Sequence, residues 1–346
     1  MTSLSDQETV RPRQIGLGMK RTLIEAALEN IVWLILLTIL AVFCVAIPGY
    51  AQFGIFFNII EQATFVGILA VGLSITIIAG QMDLSIESTM ALAAMVTATL
   101  VSTGPLGWGG GQGPGWLIIP GTLAVALGLG VAIGLANALL VIKLKINAFI
   151  ATLATYIFLR GAVVAFNGGS AVFGLPASLR SIALVKLAGI PLFAWLTVTI
   201  FLVFSFVLKK TPFGRYLYLV GGNPIPPFRA GIAVEKIAAW SFVLSAALAA
   251  FAGWLLAART SGATPNLGIG MLFEAFAAVV IGGVSLKGGI GRLSGVFAGV
   301  LLLSAIRTAI NLLSMPPHYT QMIQGALVLA AMLLDALKTT IRKRYL

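Results

Sequence analysis

The chain has 346 residues, of which 59% are hydrophobic and 9% charged, and its mean hydropathy is +1.05. That much apolar surface cannot be hidden inside a water-soluble globule of this length. The 22 basic and 10 acidic residues give a formal charge of +12, but the bases lie at the ends of apolar runs instead of on one polar face, which excludes a nucleic-acid surface.

Lipid offers no hydrogen bonds to backbone groups, so the spans must be helices or a closed barrel. The runs are about 17–25 residues long and do not alternate apolar with polar, which selects helices. The expected fold is all-α, a polytopic membrane protein with about ten transmembrane helices. In chain order they fall at about 31–48, 60–80, 84–103, 117–141, 148–166, 191–208, 237–257, 270–286, 293–313 and 320–337. Cys44, the one cysteine, lies in the first run, so no disulfide framework exists. Residues 1–30 read as a polar N-terminal segment without a cleavable signal core, so the first run is expected to stay as an anchor.

Positive charge assigns the sides. The segments before 31, at 141–147, 209–236 and 287–292, and after 337 carry 17 Lys and Arg; the opposite connections carry only Arg180, Lys186 and Arg259. The positive-inside rule then puts both termini in the cytoplasm, and with them an even number of spans. Residues 31–337 form one transmembrane domain, with 209–236 as its longest cytoplasmic loop and 338–346 as a cytoplasmic tail.

Three segments carry chemistry. The first, Gly80 to Ser88, places Gln81, Asp83, Ser85, Glu87 and Ser88 between two apolar runs. Polar density at membrane depth is costly unless it lines water or protein. Either this is a cytoplasmic turn with Asp83 as an N-cap, or it is a discontinuous helix whose polar ends face a solute path. The uncharged, Gly-rich 104–116 segment reads as an outer turn, and no GxxxxGK[ST] phosphate loop occurs.

The second is 209–236, both basic and aromatic. Pro226 and Pro227 can open a short helix and Gly231 can close it. Such an element suits docking into a groove of a soluble partner, through Phe213, Arg215, Asn223, Phe228 and Arg229. The competing reading is a loop lying on lipid headgroups. The third is 282–292, leading into Gly291, Gly295 and Gly299 at four-residue spacing; Gly130 and Gly134 repeat the device. Small-residue stripes let helices approach closely, either as static packing or as a moving seam. A faint internal echo links 78–85 with 280–287.

Among single ionisable residues, Glu61 and Glu274 read as interfacial or vestibule-lining. Arg160 and Arg307 read as snorkelling toward an outer surface, and His318 as a loop residue. No metal-ligand cluster and no cofactor is expected. Without a chain of buried carboxylates, ion coupling has little support.

At these segments the sequence resembles the permease subunits of bacterial ATP-binding cassette (ABC) sugar importers, the ribose/xylose/galactose type of the branched-chain permease superfamily. That family shows GG[IV]DLS[VI]GS, matched by Gly80 to Ser88, and NPFIATLGTxxxxRG, matched from Asn147 to Gly161. It shows TxxGRxxYAxGGNxxAARxxGI, resembled from Thr211 to Ile232, and IGGxSLxGGxGxxxGxxxG, matched from Ile281 to Gly299. Departures are Gln81 and Glu87 in place of glycines, and Pro226-Pro227-Phe228 where small residues and an arginine are usual. The resemblance implies an ABC ATPase subunit, a periplasmic sugar-binding protein and a second permease, identical or homologous, as partners, besides membrane lipid. It implies that ATP is hydrolysed by the separate subunit and that this chain, which is no enzyme, moves a monosaccharide or related polyol across the bacterial inner membrane. The alternative is an ion-coupled secondary transporter of a small polar solute. A membrane-embedded enzyme lacks the convergent acid/base cluster it needs.

Overall fold

A computed structural model describes residues 31–316 without interruption, and beyond them positions 319, 322, 323, 325, 326, 329 and 333. The N-terminal segment, the 338–346 tail, His318 and most of the expected tenth span lie outside the described residues. Among these residues the chain is helical, apart from two small antiparallel strand pairs: β1 (Val172–Phe173) with β4 (Gly262–Ala263), and β2 (Lys186–Leu187) with β3 (Ile190–Pro191).

Six helices are long and apolar enough to cross a bilayer. They are α2 (Phe53–Ile78), α4 (Gly115–Ala138, continued by a π turn to Lys143), α5 (Ala148–Phe166), α7 (Leu192–Lys210), α10 (Val234–Thr260) and α12 (Leu293–Leu312). Shorter apolar helices are α1 (Ile31–Ala46), α3 (Ile86–Val101) and α11 (Met271–Ile281). The remaining helices are α6 (Ala177–Ser181), α8 (Pro212–Gly222) and α9 (Ile225–Arg229). The protein is thus an all-α, multi-pass membrane protein.

Side-chain size sorts the helices into centre and rim. The alanine-rich α3 and α10, with α2, are buried on nearly all sides. Small side chains let these backbones approach closely, and lipid gives no hydrophobic reason to prefer large ones inside. The Phe-, Leu- and Ile-rich α5 and α7 expose most of their length, with Phe149, Ile157, Phe158, Leu202 and Phe206 pointing outward. Glycines are used where backbones meet. A Cβ on Gly130 would stand 2.6 Å from the Ala246 carbonyl oxygen, and one on Gly134 2.6 Å from the Val243 Cα, so α4 lies directly on α10.

Two boundaries differ from expectation in a way that matters. The run at 270–286 yields α11, with 11 residues and a length of about 16 Å, roughly half the hydrocarbon thickness. Before it, 261–270 is non-helical and carries β4, with Ser261, Gly268 and Gly270 in the left-handed region. Hydropathy carried the expected span on to 286 because 282–286 is mostly apolar; the helix ends at Ile281 because Gly282 and Gly283 interrupt it, the latter with a φ of +86°. Gly291 also lies ahead of α12, so only Gly295 and Gly299 of the stripe are helical.

Candidate functional site

The break after α2 begins at Gly80, whose φ of +75° is accessible to glycine at little cost. The side chains that follow are turned into protein. Asp83, Ser85 and Ser88 have no exposed surface and Glu87 has 1%, while Gln81 is half-buried. A directed relay of hydrogen bonds runs through this break from α5 and α4. Thr155 donates to Asn137 Oδ1 (2.8 Å), Asn137 Nδ2 donates to Ser85 Oγ (2.9 Å), and Ser85 Oγ donates to Asp83 Oδ1 (2.6 Å). The Ser85 amide donates to the same oxygen (3.0 Å), closing a tight turn in front of α3. Thr152 donates to the Met82 carbonyl (3.2 Å), and Ser88 to the Ser85 carbonyl (2.9 Å). Asp83 therefore braces the break between helices; it makes no side-chain cap bond to the α3 start, which has Ser85 at its N-cap.

One turn further, charge is concentrated. Glu87 pairs through Oε1 with Arg160 and accepts a hydrogen bond from the Tyr156 hydroxyl (3.2 Å). Its Oε2 accepts from the amides of Gly270 and Leu272, 3.0 Å each, at the start of α11. Arg160 also donates to the carbonyls of Pro265 and Leu267, 3.2 Å each. Both Glu87 oxygens are satisfied, and the carboxylate meets the positive end of the α11 dipole. Arg160 stands eight residues past Thr152, about 12 Å farther along α5, so this cluster lies well inside the bundle. On the other side of the α11 start, Glu274 pairs with Arg307 of α12 (2.9 Å). Glu61 of α2 pairs with Arg259 at the end of α10 (2.9 Å). The arginines expected to snorkel are instead held by buried carboxylates. A charge that cannot reach water is tolerable only when paired and hydrogen-bonded.

Asn137, Thr152, Thr155 and Tyr156 were not singled out as site residues by the sequence reading, and Arg160 was taken for a snorkelling cation. Four of them fall on one face of α5, at spacings of three, one and four, which is a legible signal in an otherwise apolar helix. Among the described residues, no group of three His, Cys, Asp or Glu is placed to hold a metal.

The 209–236 segment folds as two helices. Thr211 caps α8 by accepting from the Gly214 amide (3.3 Å), and Pro212 starts it. Leu217 and Val220 are buried against the bundle, and the Tyr218 hydroxyl donates to the Gly291 carbonyl (2.8 Å). At the end of α8, Gly221 is packed so tightly that a Cβ would fall on the Ile78 carbonyl oxygen. The Gly289 amide donates to that same Ile78 carbonyl (2.9 Å), and a Cβ on Gly288 would stand 2.9 Å from the Gly80 Cα. Three segments read separately in the sequence, 78–80, 221–222 and 288–289, thus meet at one point. Beyond it, α9 projects outward. Phe228 is 73% exposed, Ile225 is exposed, and Arg215, Asn223 and Arg229 lie on the surface, whereas Phe213 is half-buried against the core. A shallow cleft runs between α9 and the start of α10, lined by Ile225, Phe228, Ile232 and Val234.

Comparison with known proteins adds the identity of the fold family. Residues 55–332 match the family described as branched-chain amino acid transport system / permease component. The chain is 34% identical over 312 residues to the ribose import permease protein of Haemophilus influenzae, covering 89% of this chain and 93% of that protein. It is 36% identical over 306 residues to the L-arabinose transport system permease protein of Escherichia coli, covering 88% and 90%. To the ribose import permease protein of Bacillus subtilis it is 34% identical over 284 residues, covering 82% and 84%. No solved structure matches it. The chain belongs to this permease family.

Proposed function

We propose, from that membership, that the chain is the membrane-spanning permease subunit of an ABC importer. It carries a monosaccharide or related polyol across the bacterial inner membrane, using ATP hydrolysed by a separate ATPase subunit. A periplasmic sugar-binding protein delivers the solute, and a second permease, identical or homologous, completes the pathway. The names of the ribose and arabinose relatives support the solute class. The observation that carries the mechanism is the meeting of α8 with both helix breaks at Gly221, Gly80 and Gly288, beside a surface helix whose aromatic side chain lies bare.

In this reading the 31–337 permease domain has ten spans, and the α8–α9 unit within 209–236 is the coupling element. Closure of the ATPase pushes on Phe228 and Arg229. Because α8 is packed on Ile78 and bonded to Gly291, the push reaches both breaks without an intervening flexible loop. Gln81, Asp83, Ser85, Glu87 and Ser88 then form the gate, closed here because four of the five are buried. Gly295 and Gly299 form the seam on which α12 bears against α11.

Docked aromatics are frequent energetic anchors, and truncating one costs about 2 kcal/mol or more. Phe228→Ala is therefore expected to weaken ATPase binding roughly thirtyfold, and Arg229→Glu to uncouple hydrolysis from transport. Membrane insertion survives, because both side chains lie outside the packed bundle. Recovery of the ATPase is measured by pull-down at several lipid compositions. Undiminished recovery with both variants, or sensitivity to anionic lipid alone, assigns the loop to the lipid surface instead.

The sidedness has its own test. A reporter active only in the cytoplasm, fused after Leu346, is expected to be active, and the same reporter inserted within 104–116 is expected to be silent. Activity at 104–116 breaks the ten-span arrangement with cytoplasmic termini.

A further inference from the structure

The length of α7 fixes where its two ends lie. Its 19 residues, Leu192–Lys210, extend about 28 Å, close to the hydrocarbon thickness of about 30 Å. Lys209 and Lys210 are exposed in its last turn and mark one membrane boundary. Leu192 therefore stands at the other boundary, and Trp195, exposed one turn inside it, has the place of an interfacial aromatic. Trp195, Leu202 and Phe206, at spacings of seven and four, form an exposed apolar stripe down the helix.

The β2–β3 hairpin continues that stripe beyond the helix. Ala188 and Gly189 have φ values of +52° and +79°, as a two-residue type I′ turn requires, so the hairpin has one defined shape. It is fixed to α7 by two hydrogen bonds. The Leu192 amide donates to the Val185 carbonyl (2.9 Å), and the Trp195 indole N–H donates to the Leu187 carbonyl (3.2 Å). Leu187 lies opposite Ile190 and Lys186 opposite Pro191, so Leu187 and Ile190 share one face and Lys186 is on the other. Leu187 is 50% exposed and Leu184, just before the strand, 78%; Val185 is exposed too. Facing water, that surface would be unfavourable; at the edge of the hydrocarbon it is favourable.

We propose that residues 184–191 are an interfacial anchor. Val185 and Leu187 lie among the upper acyl chains of phospholipid, and Lys186, with Arg180 of α6, reaches the lipid phosphates. Both basic side chains are exposed, and among the described residues neither is paired with a carboxylate. The unbroken passage from the α7 stripe through Trp195 to Leu187 selects lipid as the occupant over a soluble protein. The inference needs α7 to cross the bilayer; it does not depend on what the chain transports or on which side this end lies.

The test places the full-length chain in phosphatidylcholine vesicles. Cys44, its one cysteine, is first replaced by Ser, so that an environment-sensitive fluorophore reaches only an added cysteine. Interfacial elements sit about 5–10 Å into the headgroup–acyl boundary, so the fluorophore at Leu187→Cys or Val185→Cys should lose about half its emission to a nitroxide carried near the top of the lipid acyl chain. Its emission should also shift to the blue. At Lys186→Cys the nitroxide should quench less and aqueous iodide more. Blue emission that the nitroxide leaves untouched means that protein, such as a second copy, covers the hairpin, and overturns the proposal. So does water-like emission at Val185 and Leu187, or equal nitroxide quenching at Lys186 and Leu187. All three side chains are exposed, so the substitutions spare the packed bundle.

Discussion

Replacing Glu87 by alanine is expected to destabilise the protein by about 3–5 kcal/mol, the usual consequence of removing one partner of a buried ion pair. Arg160 would keep its charge in a site built around the missing carboxylate. The amides of Gly270 and Leu272 would lose the carboxylate oxygen to which they donate. Since α11 spans roughly half a bilayer and its first turn hangs on that carboxylate, its start should loosen from α3 and α5. The measurement is thermal unfolding in detergent, for Glu87→Ala, Arg160→Ala and the double variant. A double variant clearly less damaged than the sum of the two identifies the pair as the source. A melting temperature unchanged in Glu87→Ala would show that the pair is idle.

Gly295→Leu is expected to do comparable damage by a different route. A Cβ at Gly295 would already fall on the Gly282 carbonyl oxygen, and one at Gly299 would stand 2.5 Å from the Ala278 carbonyl oxygen. Neither neighbour is a side chain that can rotate away, so α11 and α12 must separate. Overpacking costs typically 1–3 kcal/mol where side chains can yield, and a backbone contact belongs at or above the upper end. Gly128→Leu is the control, since nothing lies within 4 Å of its Cβ direction. There the change should be neutral or mildly stabilising, because leucine is the better helix former by about 0.5–1 kcal/mol. Equal stability of the two variants would mean that α11 and α12 are not in contact through glycine.

In the importer proposed above, coupling and gating would run through these same contacts. The α8 end touches both breaks, one break carries Asp83 and leads to Glu87, and Glu87 holds the start of α11. Variants at Phe228 and at Glu87 therefore address opposite ends of one mechanical path. The first should spare folding and the second should not.

Much of the architecture was legible from local chemistry. Hydropathy runs longer than a soluble core can use identify membrane helices wherever they occur, because the bilayer acts on each segment separately. Thr211-Pro212 and Pro226-Pro227 mark helix starts for equally local reasons. The four-residue glycine spacings at 130–134 and 295–299 point to close approach, because a missing side chain is a property of the residue itself. What depends on a distant partner was not legible. Arg160 reads as a snorkelling cation until Glu87, 73 residues away, is seen beside it, and Glu87 reads as a first-turn acid until α11, more than 180 residues on, brings its amides. The half-length of α11 escaped for the same reason. Its hydropathy runs on to 286, and only the tertiary contacts of the segment that follows, with Gly289 donating to the Ile78 carbonyl, make a non-helical end acceptable there, by satisfying backbone groups that lipid would leave unpaired. Sequence determined which segments enter the membrane as helices. The fold decided which charges may stay there, because a buried charge is stable only in the geometry of its partner.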